Sequence, residues 1–265
     1  LIHRKVTRID DVVSRVVARA PLIDIQADSK LRIAFWVVDS GDEVAAIEAV
    51  VAELDAVYIA DGHHRAAAAS RYASRRRGAA APGLAPYEHL TSVLFSADQL
   101  VVHSYNRCLT DLGGLSGEEL MAEITETFAV VQVSQDDDPT PTSTGEFSMY
   151  LDGRWHRITV PEHLREVAGV AGLDVSVLHE HLLEPVLGVV DARTDPRIEF
   201  VPGTLGIGEL EHLCETEFAV AFAVAPMDVA DMLTVADRGE IMPPKSTWFA
   251  PKLRSGLVVR LLEET

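Results

Sequence analysis

The sequence predicts an α+β protein, with mixed sheets and helices interleaved along the whole chain. Three observations carry that expectation. The apolar residues switch repeatedly between a helical period and strict alternation. No internal repeat is present, so neither a solenoid nor a propeller is implied. The 265 residues, 48% of them hydrophobic, are enough to bury one large core or two small ones.

The elements follow in order. Residues 9–19 read as a helix, with Val12, Val13, Val16 and Val17 on one face, Asp10 and Asp11 at the favourable end, and Pro21 as a stop. Leu22, Ile23 and Ile25 suggest a short strand, and residues 31–38 a second one rich in Ile, Phe, Trp and Val. Residues 42–54 repeat Val44, Ile47, Val50, Val51 and Leu54 at helical spacing. Val57 to Ala60 is an apolar strand that runs into an Ala-rich helix at 63–76, where Arg71, Arg75, Arg76 and Arg77 suit the C-terminal end. A small-residue loop occupies 78–86. Strands are expected at 89–96 and 100–105, around Asp98-Gln99.

The second half opens with a helix at 116–128 and a strand at 129–133. The polar stretch 135–145 is expected to be mobile. Residues 147–151 and 155–160 flank Asp152-Gly153, a strong hairpin signal. Helices are expected at 174–187, 208–216 and 227–236, and strands at 198–201 and 218–224. The stretch 242–262 reads as a Pro- and Lys-bearing loop followed by a closing strand.

Composition narrows the partners. With 23 basic and 41 acidic residues, the formal net charge is −18. Such a surface repels nucleic-acid phosphates and anionic membranes, so neither is an expected partner. Any anion site must be built locally, against that field. No apolar run approaches the ~20 residues that span a membrane, and no signal peptide is visible, so a cytoplasmic location is expected. A homo-oligomer is compatible with the composition. Cys108 and Cys214 provide neither a disulfide framework nor zinc spacing, and are expected as reduced, buried thiols. The chain opens Leu1-Ile2-His3-Arg4 without an initiator methionine, as a piece of a longer protein would.

The densest chemistry is Asp61-Gly62-His63-His64-Arg65, at the corner between the expected strand and helix. N–H groups at a helix start lack partners and carry positive partial charge. Gly62 lets a ligand approach the backbone, and Arg65 can grip a phosphate through two nitrogens. Asp61 can cap the helix, hold a histidine tautomer or coordinate Mg2+. Asp61, His63 and His64 are candidate bases by residue type. A zinc site on both histidines is disfavoured, because helix neighbours point about 100° apart. Arg107, with Asn106 and His103, could face the same pocket. Lys245, Ser246 and Thr247 follow Pro244 in a stiffened loop that could bind an anion or serve as a rigid clasp. His179 and His181, two apart on a helix, are assigned to packing or solvent.

The stretch Tyr58-Ile59-Ala60-Asp61-Gly62-His63-His64-Arg65-Ala66-Ala67-Ala68 resembles the hallmark of the bacterial and archaeal family called domain of unknown function 1015. The run from Met242 through Pro243-Pro244-Lys245-Ser246-Thr247-Trp248-Phe249 to Leu257 resembles that family's other signature, and Leu173 to His179 is similar to a third block. Family members carry a His-Glu-x-Thr-like stretch near the start; His3-Arg4-Lys5-Val6-Thr7 departs from it and holds no acidic residue. The strand, Asp-Gly-His-His-Arg and Ala-rich helix are also similar to the phosphate-binding box of the ParB and sulfiredoxin superfamily, which includes kinases of free serine. That resemblance implies a ParB/sulfiredoxin-like part over residues 1–110 and a C-terminal α+β part over 111–265. It further implies ATP or ADP with Mg2+, and phosphates held by Gly62, His63, His64 and Arg65. Arg107, Lys245, Ser246 and Thr247 complete the expected nucleotide contacts, and Asp61 is the expected metal ligand.

The function expected on these grounds is phosphoryl transfer from a nucleotide to a small hydroxyl metabolite such as free serine. The alternatives are a non-catalytic nucleotide or metabolite sensor and a metal-dependent hydrolase.

Overall fold

The computed structural model describes residues 1–27, 31–78, 83, 85–165, 168–250, 252 and 256–262. The chain divides into two compact units, Leu1–Gln99 with Ser255–Thr265, and Leu100–Arg254. Both mix helices with sheets, as an α+β chain should.

The first unit contains β1 (Ile2–His3), α1 (Thr7–Val17), β2 (Ile23–Gln26), β3 (Arg32–Phe35), α2 (Gly41–Ala52), α3 (His63–Arg77) and β4 (Phe95–Ser96). Its core is thin. Val12 and Val16 of α1 and Val50 of α2 are buried, at the helical spacing that the sequence shows. β2 and β3 form an antiparallel hairpin. β1 pairs in parallel with β4, and Ile2 also exchanges two backbone hydrogen bonds with Tyr58, at 2.8 and 2.9 Å. Ile2 thus ties the segment before α3 to the buried interior.

The second unit contains β5 (Val101–His103), β6 (Tyr105–Leu109), α4 (Gly117–Thr127), β7 (Ala129–Gln132), β8 (Glu146–Leu151) and β9 (Arg154–Thr159). It continues with α5 (Glu162–Arg165), α6 (Asp174–Leu178), β10 (Ile198–Pro202), α7 (Ile207–Thr216), β11 (Val220–Val224), α8 (Val229–Asp237) and β12 (Trp248–Ala250). Six strands form one antiparallel sheet in the order β10-β6-β11-β8-β9-β7. Alternation sends Leu109, Phe147, Met149, Val220 and Phe222 to one face, where α4, α6 and α8 add Leu120, Ile124, Val177, Leu178 and Val235. Large side chains sealed in this way contribute about 1.5–3 kcal/mol each. The other face carries Cys108, Tyr150, Trp155, Ala221 and Ala223 under Leu210 of α7. Cys108 is buried and Cys214 partly so; both thiols are free, and a hydrogen bond joins them.

Local signals settle much of this. Asp152 and Gly153 both have positive φ, the backbone a two-residue hairpin turn requires, and β8 and β9 pair around them. Ser116 and Glu119 form a reciprocal capping box at the start of α4. The helix from Asp174 passes into a wider turn over His179–Leu183, where Glu184 N–H donates to His179 O rather than to the residue four before it.

Some expectations are corrected. Val57–Ala60 is not a strand: Tyr58 makes a single bridge, and Val57 and Ile59 remain 45% and 43% exposed because no further strand lies beside them. In residues 89–96 only Phe95–Ser96 pairs, for the same reason; Leu90, Val93 and Leu94 are exposed. The closing strand is the aromatic segment Trp248–Ala250, paired with β5; Leu257 to Leu262 is exposed and unpaired. Residues 135–145 are tied down by Ser148 Oγ donating to Pro139 O at 2.6 Å and Arg157 donating to Asp138 O at 3.0 Å. Most of the small-residue loop at 78–86 lies outside the described residues.

One buried charge strains this core. Asp174 accepts from Gly145 N–H at 2.9 and 3.1 Å, yet burial pushes its carboxyl up to about 6, with Asp231 and Glu146 adding to the rise and Arg165 opposing it. A raised carboxyl binds its proton more tightly folded than unfolded. Its penalty is absent below pH 4, grows through pH 4–6 and is complete above pH 6. The gap between 3.8 and about 6 sets an upper bound of about 3 kcal/mol. Asp174→Asn, which keeps the acceptor, is expected to raise urea stability by about 1–2 kcal/mol at pH 8 and to lose about two thirds of that advantage at pH 4.5. An advantage equal at both pH values would refute the assignment. Ser116→Ala removes the α4 cap and is expected to cost about 1 kcal/mol in the same measurement.

Candidate functional site

The turn before α3 is open to solvent. Gly62 is the N-cap, with φ of 89°, a left-handed conformation that side chains rarely adopt. Its carbonyl accepts from Ala66 N–H at 2.9 Å, which starts the helix. The cap has no side chain and so satisfies none of the first-turn donors. Asp61 is not the cap that the sequence suggested. Its Oδ1 accepts from Gly62 N–H at 2.9 Å, and its Oδ2 lies 3.7 Å from Arg65 Nη2. His63, His64 and Arg65 are exposed. The sequence thus brings an uncapped helix start, two imidazoles and a guanidinium into one turn. Tyr58, bridged to Ile2, is the anchor behind it, with the Arg4 guanidinium 5.9 Å from its ring centroid.

Among the described residues no group of three or more His, Cys, Asp and Glu could hold an ion. Asp61 is engaged by Arg65 instead.

The second unit holds the remaining candidates. Arg107 is 4% exposed on β6, and burial brings its guanidinium down to about 10, leaving it charged at neutral pH. It lines a cavity of about 420 Å³ together with Ser176, His179, Phe200, Pro243 and Pro244, among others. Asn106 is spent on structure, its Oδ1 accepting from Val224 N–H at 3.2 Å. His103 lies opposite Trp248 in the β5–β12 pair.

The loop after Pro244 is both clasp and exposed cation. Phe249 is buried and pairs with Val102. Ser246 is buried, and its hydroxyl donates to Pro243 O at 2.7 Å, so that donor is committed to the turn. Lys245 is exposed, with φ of 53° and Nζ 5.2 Å from the Tyr105 ring centroid. Tyr105 in turn meets Trp248 edge-on at 5.7 Å. Thr247 is half-buried. Lys245 and Thr247 are therefore the members of this trio with accessible polar groups.

Sequence reasoning passed over Ser176 and His179, which line the cavity with Arg107. The available signal was the block Leu173 to His179, whose polar residues were set aside because two histidines two apart share no helix face.

No curated protein matches the chain. Solved structures similar to it include a free serine kinase in complex with AMP, 14% identical with a TM-score of 0.38, over 94% of this chain and 83% of that one. A mutant free serine kinase in complex with ADP is 16% identical with a TM-score of 0.37, over the same shares. A conserved hypothetical protein from Pyrococcus furiosus is 14% identical with a TM-score of 0.36, over 94% of this chain and 86% of that one. The family described as Protein of unknown function (DUF1015) matches residues 1–176, about two thirds of the sequence, and the chain belongs to that family.

Proposed function

We propose that the chain binds a nucleotide by its phosphates at the start of α3 and transfers a phosphoryl group to a small hydroxyl metabolite. The observation that carries this reading is the exposed, uncapped turn Gly62-His63-His64-Arg65, with Gly62 in the left-handed conformation. Unpartnered N–H groups and the helix dipole favour an anion there. Arg65 adds a two-nitrogen grip, and the imidazoles add donors.

Phosphoryl transfer asks chiefly for positioning and charge neutralisation. The nucleotide, ATP or ADP, supplies the terminal phosphoryl group. A bond forms from the acceptor oxygen to that phosphorus, the bond to the leaving phosphate oxygen breaks, and the hydroxyl proton passes to a base. Asp61, His63 and His64 are the candidates for that base. Mg2+ bound with the nucleotide would be held by its phosphates and by Asp61, and would neutralise phosphate charge there. Free serine is the acceptor to test first, being the substrate by which the kinases above are named.

One observation favours a second reading, a nucleotide or metabolite sensor. Among the described residues neither His63 nor His64 makes a hydrogen bond that would fix its tautomer. A base held so loosely suits binding better than turnover.

Incubation with Mg2+, serine and either ATP or ADP is expected to give phosphoserine, read by mass spectrometry. Nucleotide binding without product would favour the sensor. Arg65→Ala is expected to weaken AMP and ADP binding at least tenfold by calorimetry while leaving the circular dichroism spectrum unchanged. Gly62→Ala should weaken it similarly, because the added Cβ would lie 3.0 Å from Arg65 Nη2 and strain the turn. Wild-type affinity in both variants would refute the site.

A further inference from the structure

Strand alternation places Arg107 on the face of the sheet that Leu109 shares with the larger core, and its cross-strand neighbours are Phe200 and Phe222. Its guanidinium lies 5.5 Å from the Phe200 ring centroid. Nη1 donates to Tyr105 O, and among the described residues no carboxylate pairs with the group. A guanidinium carries five N–H donors, so most of its capacity is unused. Buried charges are ordinarily paired, and an unpaired one is costly. Beside it, Ser176 is buried, and among the described residues its sealed Oγ has no hydrogen-bond partner. Both residues line the cavity of about 420 Å³, whose remaining wall is largely apolar, including Val175, Leu183 and Val190.

We propose that this cavity binds a small carboxylate with an apolar body, the carboxylate on Arg107 and the body against Val175, Leu183 and Val190. The volume falls in the range of small-molecule sites. A carboxylate matches the guanidinium fork with two parallel hydrogen bonds. The charge count selects a monoanion. Arg193, the other cation in the wall, is paired with Asp191 at 3.2 Å, and Glu180 adds a further negative charge. A phosphate dianion would therefore meet one uncompensated positive charge and a nearby carboxylate. This assigns Arg107 to a small acid rather than to the phosphates of a nucleotide. The site goes beyond the phosphotransferase reading and uses residues of the second unit alone.

The test is calorimetry on the full chain with hexanoate and phenylacetate as probes, hexanamide as the uncharged counterpart and inorganic phosphate as the competing anion. At least one carboxylate is expected to bind, with hexanamide and phosphate at least tenfold weaker. Arg107→Gln is expected to weaken the carboxylate at least tenfold. Should that variant not fold, Ala192→Trp tests the same site by filling the cavity wall while leaving the guanidinium in place, and it is expected to abolish binding. Silence from both carboxylates, equal binding of hexanoate and hexanamide, preference for phosphate, or binding untouched by the folded variants would each overturn the proposal. The nucleotide reading stands or falls separately, on AMP binding and Arg65→Ala.

Discussion

The antiparallel pairing of β6 with β10 and β11 fixes the direction of every side chain on β6, and the chemistry of the second unit depends on that constraint. A slip of one residue would exchange the faces. In the observed register Cys108 and Asn106 point to the smaller core, where Asn106 satisfies a backbone N–H of β11. Leu109 points to the larger core, and Arg107 must follow it two residues earlier. Apolar packing fills the sheet around Leu109, Phe222 and Met149. Next to Arg107 the packing gives way to a cavity. A guanidinium cannot be covered by leucines without loss of its hydration, so an opening beside it is the physically cheaper arrangement.

The first unit works by the opposite means. Its anion-binding groups are exposed, and the backbone rather than burial prepares them. Tyr58 is bridged to the fully buried Ile2, which fixes the approach to the turn. Gly62 then takes a conformation that a side chain would strain, and as the N-cap it offers no side chain to the first N–H groups of α3. Asp61, the residue best suited to cap that end, is turned towards Gly62 N–H and Arg65 instead. A cap with a side chain would compete with any ligand for those donors. Its absence costs α3 some stability and leaves the helix start available.

The features legible in the sequence were those decided locally. Asp152-Gly153 demands a backbone that only a tight hairpin supplies, and Ser116 with Glu119 encodes a reciprocal cap within four residues. The helical spacing in α1, α2 and α4 is likewise local. Val57–Ala60 and residues 89–94 failed as strands because an apolar run specifies what can pair, not whether a partner is present. Two neighbours of Ile2 were enough to pair Tyr58 and Phe95 but none of the residues flanking Tyr58. The burial of Arg107 is non-local in the same sense. Nothing within β6 distinguishes it from a surface arginine; Phe200 and Phe222, on strands far along the chain, enclose it.

Electrostatics separates the two loci further. A net charge of −18 sets a far field that opposes every anion, and a dianion twice as strongly as a monoanion. Salt screens that field over about 8 Å at physiological ionic strength. At the start of α3 the same salt also screens Arg65, whose charge is already shared with Asp61 at 3.7 Å. The backbone donors there must carry more of the hold, and they act only at contact distance. Arg107 is reached by neither effect. It is buried, and among the described residues no carboxylate competes for it. An anion bound in its cavity would meet a charge shielded from solvent on one side by the sheet, while the acidic exterior would discriminate against ions of higher charge before they arrive. In so acidic a molecule, selectivity among anions can thus come from the field outside and affinity from the buried contact within.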